Sequence, residues 1–318
     1  METQDYRNQR RYEVAVKERP ALRFKDITLA DMPLINQLLQ HSSTRTCDYT
    51  IGGIYMWIDC FGYEYCVYDD TLFIKGFSEN RPGETAFSLP IGKMPLQDAT
   101  ELLRDYCKAE SIPLVFSAIP EDRVDAVAAV TGGEVEQLDG WSDYIYEATA
   151  LASLSGKALS KKRNHVNRFM NDNPDYEFEA ITPDLLPEVE LFFSGRPLAE
   201  KIDTSMALYE QHECSRVLAH YSSFPFEGAV LRGQSGEIVA FTVGEVIGDT
   251  LYVHIEKMNH EVPGAGETIN RLFAAEMLHR HPQIRYINRE EDMGDPGLRY
   301  AKESYRPAML INKYNVRI

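Results

Sequence analysis

One short stretch of the chain sets two carboxylates, a phenol and an imidazole at alternating positions: Glu245, then Tyr252, His254 and Glu256. The runs that carry them, 236–247 and 250–257, are β-prone and joined by Gly248 and Asp249. A two-residue link of this kind makes a hairpin, because glycine accepts the positive φ of a primed turn. If Ile247 and Thr250 flank the link, Glu245 lies opposite Tyr252 and Val243 opposite His254. Period-2 alternation then gathers Glu245, Tyr252, His254 and Glu256 on one face, with Leu251, Val253 and Ile255 on the other. Carboxylate and imidazole beside a phenol can do acid–base chemistry. The same alternation also describes a strand whose polar side meets water.

A second cluster follows. Residues 285–288 read as a strand that runs into Glu290, Glu291 and Asp292, three acids at a strand end, where α/β sheets place ligands. Asp295 is an N-cap with Pro296 at the first helical position, and the helix continues through Leu298, Ala301 and Tyr305 until Pro307 stops it. Arg299 and Lys302, one turn apart, either offset the acids or bind a carboxylate; a plain Glu291–Lys302 ion pair is the simpler alternative. Between hairpin and strand, Gly264 and Gly266 open a helix whose apolar Ile269, Leu272, Phe273 and Met277 recur at helical spacing. Their backbone N–H groups can approach an anion at the helix start, although tight packing uses glycine equally well. Glu261 and Glu267 flank the turn and would repel a diphosphate.

A third candidate stands out because the chain is acidic. Read as a helix, residues 156–170 place Lys157, Lys161, His165 and Arg168 on one basic stripe, with Lys162 and Arg163 beside it and Val166, Phe169 and Met170 anchoring the other side. The stripe suits phosphates of a tRNA acceptor end or a lipid headgroup. The bland alternative is a solvated helix between domains.

The elements that must position these groups come in two similar series. From Leu22 the pattern is strand, helix (31–39), hairpin (63–68 and 71–77 across Asp69 and Asp70), helix (97–109), buried strand (112–119), helix (121–130) and strand (140–150). After a join near 150–175 it resumes with a strand over 176–182 and a helix over 183–193. It then passes through the hairpin, the glycine turn, the helix, the acidic strand end and a closing strand over 308–316. The fold class is α/β (α+β), with mixed sheets flanked by helices. The expected divisions are a polar tail (1–21), an N-terminal unit (22–150) and a C-terminal unit (151–318) that begins with the basic helix. The first unit, lacking a GxG turn and an acid cluster, is expected to be a structural partner.

With 318 residues the chain holds two cores of ordinary size. A formal net charge of −16, from 33 basic and 49 acidic residues, excludes a general nucleic-acid coat while leaving room for a local basic patch. No apolar run approaches the roughly 20 residues of a membrane span, and the polar start lacks an apolar signal segment. A cytoplasmic protein is expected. Five cysteines, odd in number and without a CxxC pair, indicate neither a disulfide framework nor a metal site.

Two long motifs carry a resemblance. The run Arg289-Glu290-Glu291-Asp292-Met293-Gly294-Asp295-Pro296-Gly297, continued to Pro307, and the run Lys161-Lys162-Arg163-Asn164-His165-Val166-Asn167-Arg168 are similar to the signatures of one bacterial family. Its members resemble the C-terminal domain of phosphatidylglycerol lysyltransferase, and the series of elements resembles the GNAT acyltransferase fold in tandem. The resemblance implies transfer of an aminoacyl group from aminoacyl-tRNA to an amine or hydroxyl acceptor, either a small molecule or a lipid headgroup, with no tightly bound cofactor. Such chemistry needs a base (Glu256 or His254, with Glu245 beside them), an oxyanion stabiliser (a backbone N–H or Tyr305) and an acid for the α-ammonium (Glu290, Glu291 or Asp292). Two alternatives remain: coenzyme A-dependent N-acetyl transfer, with Gly264 and Gly266 at the diphosphate, and a non-catalytic tRNA- or ligand-binding protein.

Overall fold

The computed structural model describes residues 21–195 and 204–318, so the tail read over 1–21 lies outside it except for Ala21. The first series runs β1 (Lys25–Asp26), α1 (Met32–Leu39), α2 (Ile51–Phe61), β2 (Glu64–Tyr68), β3 (Thr71–Ser78), β4 (Arg81–Phe87) and β5 (Ile91–Gly92). It continues through α3 (Leu96–Glu110), β6 (Val115–Pro120), α4 (Glu121–Thr131) and β7 (Glu134–Gln137). Then come β8 (Asp143–Glu147), α5 (Ala148–Ser153), α6 (Ser160–Asp172), β9 (Glu177–Ala180), α7 (Leu186–Ser194) and α8 (Thr204–Ala219). The last part is β10 (Glu227–Arg232), β11 (Ile238–Ile247), β12 (Thr250–Met258), α9 (Ala265–Arg280), β13 (Tyr286–Asn288), α10 (Pro296–Glu303), β14 (Met309–Ile311) and β15 (Lys313–Arg317).

Local chemistry sets several of these elements. Asp69 and Asp70 both take positive φ (48° and 52°), the geometry of a primed turn, and β2 pairs with β3 across them. Asp295 accepts from Leu298 N at 2.7 Å and caps α10, with Pro296 in its first turn. Thr50 caps α2 by accepting from Gly53 N.

Two mixed sheets result, in the order β1-β2-β3-β4-β6-β15-β7, with β5 on β3, and β14-β8-β13-β12-β11-β10-β9. Alternating strand residues divide the interior into three cores. One covers the outer face of the first sheet under α3 and α4, with Phe73, Phe87, Phe116, Leu103 and Val127. Another covers the outer face of the second sheet under α5, α6 and α9, with Leu251, Val253, Phe169, Ile269 and Phe273. The third lies between the sheets and mixes α1 and α2 with α7 and α8, joining Ile54 and Leu72 to Phe193, Val217, Phe241 and Ile255. The two units therefore share an apolar middle layer.

The expected boundary at 150 does not separate the strands. β8, from before it, lies in the second sheet between β13 and β14, while β15, from after it, lies in the first sheet between β6 and β7. The single closing strand expected over 308–316 is two short strands. The chain steps from one sheet to the other at Asn312, whose carbonyl accepts from Glu121 N and whose side chain bonds Ser142 and Glu121.

Candidate functional site

The site grows from a defect in the hairpin. Ile247–Thr250, Val246–Leu251 and Glu245–Tyr252 pair as expected, but the register slips between Val243 and Gly244, so Val243 faces Ile255 and Thr242 faces Glu256. His254 is the extra residue of a β-bulge. Alternation reverses there: Leu251 and Val253 point into the outer core, while Ile255 points into the middle layer. The expected single face of Glu245, Tyr252, His254 and Glu256 is thus split, and Glu256 turns to the outer side, toward α9. A bulge carries no signal in a strict period-2 reading.

β12 and the parallel strand β13 share only three pairs, the last being Tyr252 with Asn288, and the strands part beyond it. Both sides of the gap are charged. On the inner side His254 Nε2 donates to Glu245 Oε1 at 2.9 Å and Nδ1 donates to Glu290 Oε1 at 2.7 Å. Burial works against charge on this imidazole, but the hydrogen bonds and charges of the two carboxylates overcome it and push its pKa up to about 10. His254 is therefore an imidazolium at neutral pH with both nitrogens donating, which gives a general base no lone pair. Glu245 also accepts from Gly52 N at 2.7 Å in the first turn of α2. A Cβ at Gly52 would sit 2.4 Å from His254 Nε2, so only glycine allows this approach. Burial keeps the Tyr252 phenol neutral.

The three consecutive acids point three ways. Glu290, in the left-handed region at φ 57°, reaches His254. Glu291 turns to Lys313 and accepts from Cys47 Sγ at 3.1 Å. Asp292 accepts both arms of Arg299 at 2.8 and 3.0 Å and the Tyr144 hydroxyl at 2.6 Å. Lys302 donates to the carbonyls of Arg289 and Glu291 rather than to a carboxylate, and burial lowers its pKa. Asp292, Asp295, Arg299 and Lys302 thus hold the shape of the 289–295 loop. Glu290, Glu291, Asp292 and Asp295 each have an internal partner.

On the outer side Glu256 accepts from Arg289 Nη2 at 2.8 Å and from Asn270 Nδ2 at 3.0 Å. Arg289 Nη1 and Asn270 Oδ1, which flank that carboxylate, are buried without a hydrogen-bond partner. Tyr305 closes the group. Its ring lies 4.8 Å from the Arg289 guanidinium and 4.1 Å from Lys162 Nζ, and burial holds its phenol neutral. Lys162 also stands 3.4 Å from Glu267 in the first turn of α9; burial lowers its pKa against the pull of that carboxylate. One donor and one acceptor are thus left open beside a fixed carboxylate.

The basic helix begins at Ser160, so Lys157 lies in the turn before it. Lys157, Lys161, His165 and Arg168 are exposed, although Arg168 reaches Asp172 at 3.4 Å and His165 reaches Glu267 at 3.4 Å. Arg163 is committed to the carbonyls of Leu154 and Gly156. Val166 and Phe169 are buried as expected. The helix packs directly on the glycine turn: Gly264 has φ 84°, and a Cβ there would come within 2.3 Å of the His165 carbonyl. Gly266 faces the Met258 side chain. Gly264 thus allows close packing against α6 and Gly266 close packing against β12.

Between the sheets lies a cluster that the sequence reading missed. Lys313, 0% exposed, sets Nζ 2.7 Å from Asp48, 3.0 Å from Asp143 and close to Glu291, with Cys47 Sγ at 3.6 Å. Cys47, Asp48 and Glu291 are spaced as metal ligands would be, but the ammonium already stands among them as their cation. Burial pushes Asp143 up to about 7, against the pull of Lys313, and raises Asp48 as well. Asn288 links the cluster to the gap by donating to Asp143 and accepting from Glu290 N. The sequence reading also passed over Arg289 and Asn270. Asn270 had a signal, since it is a polar residue next to the apolar stripe of Ile269, Phe273 and Met277. All five cysteines are free.

A family model described as phosphatidylglycerol lysyltransferase, C-terminal, matches residues 40–317. A conserved protein of unknown function from Bacteroides thetaiotaomicron is 32% identical; the match covers 93% of this chain and 99% of that one, with a TM-score of 0.85. The C-terminal domain of a putative lysylphosphatidylglycerol synthetase from Agrobacterium fabrum is 15% identical over 91% and 92% of the two chains, TM-score 0.62. FemX, 10% identical over 93% and 97%, has a TM-score of 0.59. The last two share the fold, a tandem of GNAT-like units.

Proposed function

We propose, from the premise that this chain belongs to the phosphatidylglycerol lysyltransferase C-terminal family, that it transfers an aminoacyl group from aminoacyl-tRNA to an amine or hydroxyl acceptor. The observation that carries the reading is the pair of open groups beside Glu256, Arg289 Nη1 and Asn270 Oδ1. A buried donor and a buried acceptor without partners are costly, by about 1–3 kcal/mol each. An aminoacyl ester fits both: its carbonyl oxygen accepts from Arg289 and its α-ammonium donates to Asn270.

In this scheme the acceptor attacks the ester carbonyl carbon, and the negative charge that develops on oxygen falls on Arg289 Nη1. Glu256 takes the acceptor's proton and returns it to the ribose oxygen as the carbon–oxygen bond to tRNA breaks. His254, already protonated, positions Glu290 and the loop that carries Arg289. Lys157, Lys161 and His165 are exposed on and just before the helix whose Lys162 lies against Tyr305, and they suit the phosphates of the acceptor end. Among the described residues no helix is long and apolar enough to cross a membrane, and a small amine or alcohol is the acceptor we favour.

The test is loss of the ester from charged tRNA with and without added amines. Acceptor-dependent loss that Glu256→Gln and Arg289→Lys abolish supports the reading; parent rates in both variants overturn it. A calorimetric titration with acetyl-coenzyme A should show no tight complex. A micromolar dissociation constant, about −8 kcal/mol, would replace the reading with coenzyme A-dependent transfer.

A further inference from the structure

The first sheet has its own parallel pair, and it is built differently. β4 and β6 meet at one register position, Phe87 beside Phe116. Beyond it the chain leaves β6 and pairs back on β3, Ile91 with Leu72 and Gly92 with Thr71. Among the described residues no strand fills the space beyond the end of β4, and a hollow of about 230 Å³, open at its mouth, lies there. That is below the roughly 300–1,000 Å³ of drug-sized sites and suits a smaller ligand.

Its walls are of two kinds. Leu89, Pro90, Ile91, Leu96, Ala126 and Val127 give an apolar floor, backed by Tyr49, whose hydroxyl is taken up by Leu89 N at 3.2 Å. Ser42, Ser43, Thr44 and the guanidinium of Arg123 form the opposite rim, with His41 beside them. Arg123 is half-exposed and touches the Ser43 hydroxyl, so its remaining N–H groups are free to turn to a ligand. Acids face this rim as well. Asp122 Oδ2 is 3.8 Å from Arg123 Nε, and Asp70, near His41, is held by Lys93 at 2.8 Å. Arg123 is the permanent cation of the wall, and guanidinium binds phosphate through paired N–H groups.

We infer that this hollow binds an anionic amphiphile, a short apolar stem ending in a phosphate, with the stem on the Leu89–Val127 floor and the head on Arg123 and the 42–44 hydroxyls. The site is in the first unit and does not depend on the transfer reading. Octyl phosphate is the probe, with inorganic phosphate and octanol as its separate halves, each titrated calorimetrically into the full chain. Octyl phosphate should bind at least about tenfold more tightly than either half, and Arg123→Gln should weaken it about tenfold while leaving octanol unchanged. Ala126→Phe should remove binding by filling the floor. Both positions are solvent-exposed on α4, so the melting temperature of each variant should match the parent. No octyl phosphate binding, equal binding of octanol or of inorganic phosphate, or undiminished binding in both variants would overturn the inference. If Ala126→Phe alone lowers the melting temperature, Arg123→Gln still decides.

Discussion

In the first sheet the parallel strands β4 and β6 part after a phenylalanine pair, and the space beyond has an apolar floor. In the second sheet β12 and β13 part after Tyr252 and Asn288, and the space beyond is crossed by His254–Glu290 on one side and Glu256–Arg289 on the other. The same topology opens a gap in both places. What fills it follows from one inserted residue: the bulge at His254 sends charged side chains to both faces, whereas β4 ends in Ala86 and Phe87, which do not. A repeated fold thus supplies position twice and a buried carboxylate–imidazolium–guanidinium set once.

The sharpest way to break that comparison is at Arg289. Arg289→Lys keeps a charge but loses the second N–H arm, and turnover should fall by about 10²–10³, the usual cost of one oxyanion donor. A transfer assay with near-parent rates would remove the distinction between the gaps. Lys313→Met comes next, because it leaves Asp48, Asp143 and Glu291 together without their cation. Urea unfolding should show a loss of about 3–5 kcal/mol, and a neutral result would mean the acids are protonated in the parent.

A smaller effect is expected from pH. The His254 imidazole titrates at about 10 in the folded chain against about 6.5 unfolded. Its contribution to stability is full below about 6.5 and disappears as pH rises through about 10. Stability measured across that window should fall more steeply for the parent than for His254→Gln; parallel curves would deny the charged imidazolium. RNA affinity across a salt series tests the outer surface: Lys157→Ala/Lys161→Ala should flatten the slope by about two phosphates' worth. An unchanged slope would return that segment to a solvated helix. The smallest effect belongs to Glu64 in the first unit, paired with Lys75 at 2.8 Å. Glu64→Gln should leave transfer unaltered and cost about 0–1 kcal/mol; a loss like that of Glu256→Gln would make the first sheet part of the active machinery.

Local signals in the sequence led to most elements. The Asp69-Asp70 turn, the Asp295 cap, the Gly248-Asp249 link and the Ile269–Met277 stripe all act within a few residues, and all were legible. α2 was not: its Gly52 makes room for His254 and its Gly53 for the Cys47 carbonyl, needs that arise only from packing. α8 and β4 were also missed. In the site, Glu245, Tyr252 and His254 could be grouped from alternation, but Glu256 was assigned the wrong face because a bulge depends on tertiary pairing. The charges of 290–292 were visible and their directions were not. Side-chain direction there follows from a left-handed residue at Glu290 and from partners as distant in sequence as Cys47 and Lys313.

The exchange of β8 and β15 has a consequence for how the chain comes to be folded. As the polypeptide leaves the ribosome, β6 and β7 emerge long before the strand that belongs between them. Until residues 313–317 arrive, both present unpaired backbone edges, the kind of surface that recruits foreign strands. The first sheet therefore cannot close in order of synthesis, and its final zipping spans almost two hundred residues, a separation that slows folding. A fragment ending near residue 150 should be prone to aggregation, and supplying the 309–318 peptide in trans should restore part of its solubility.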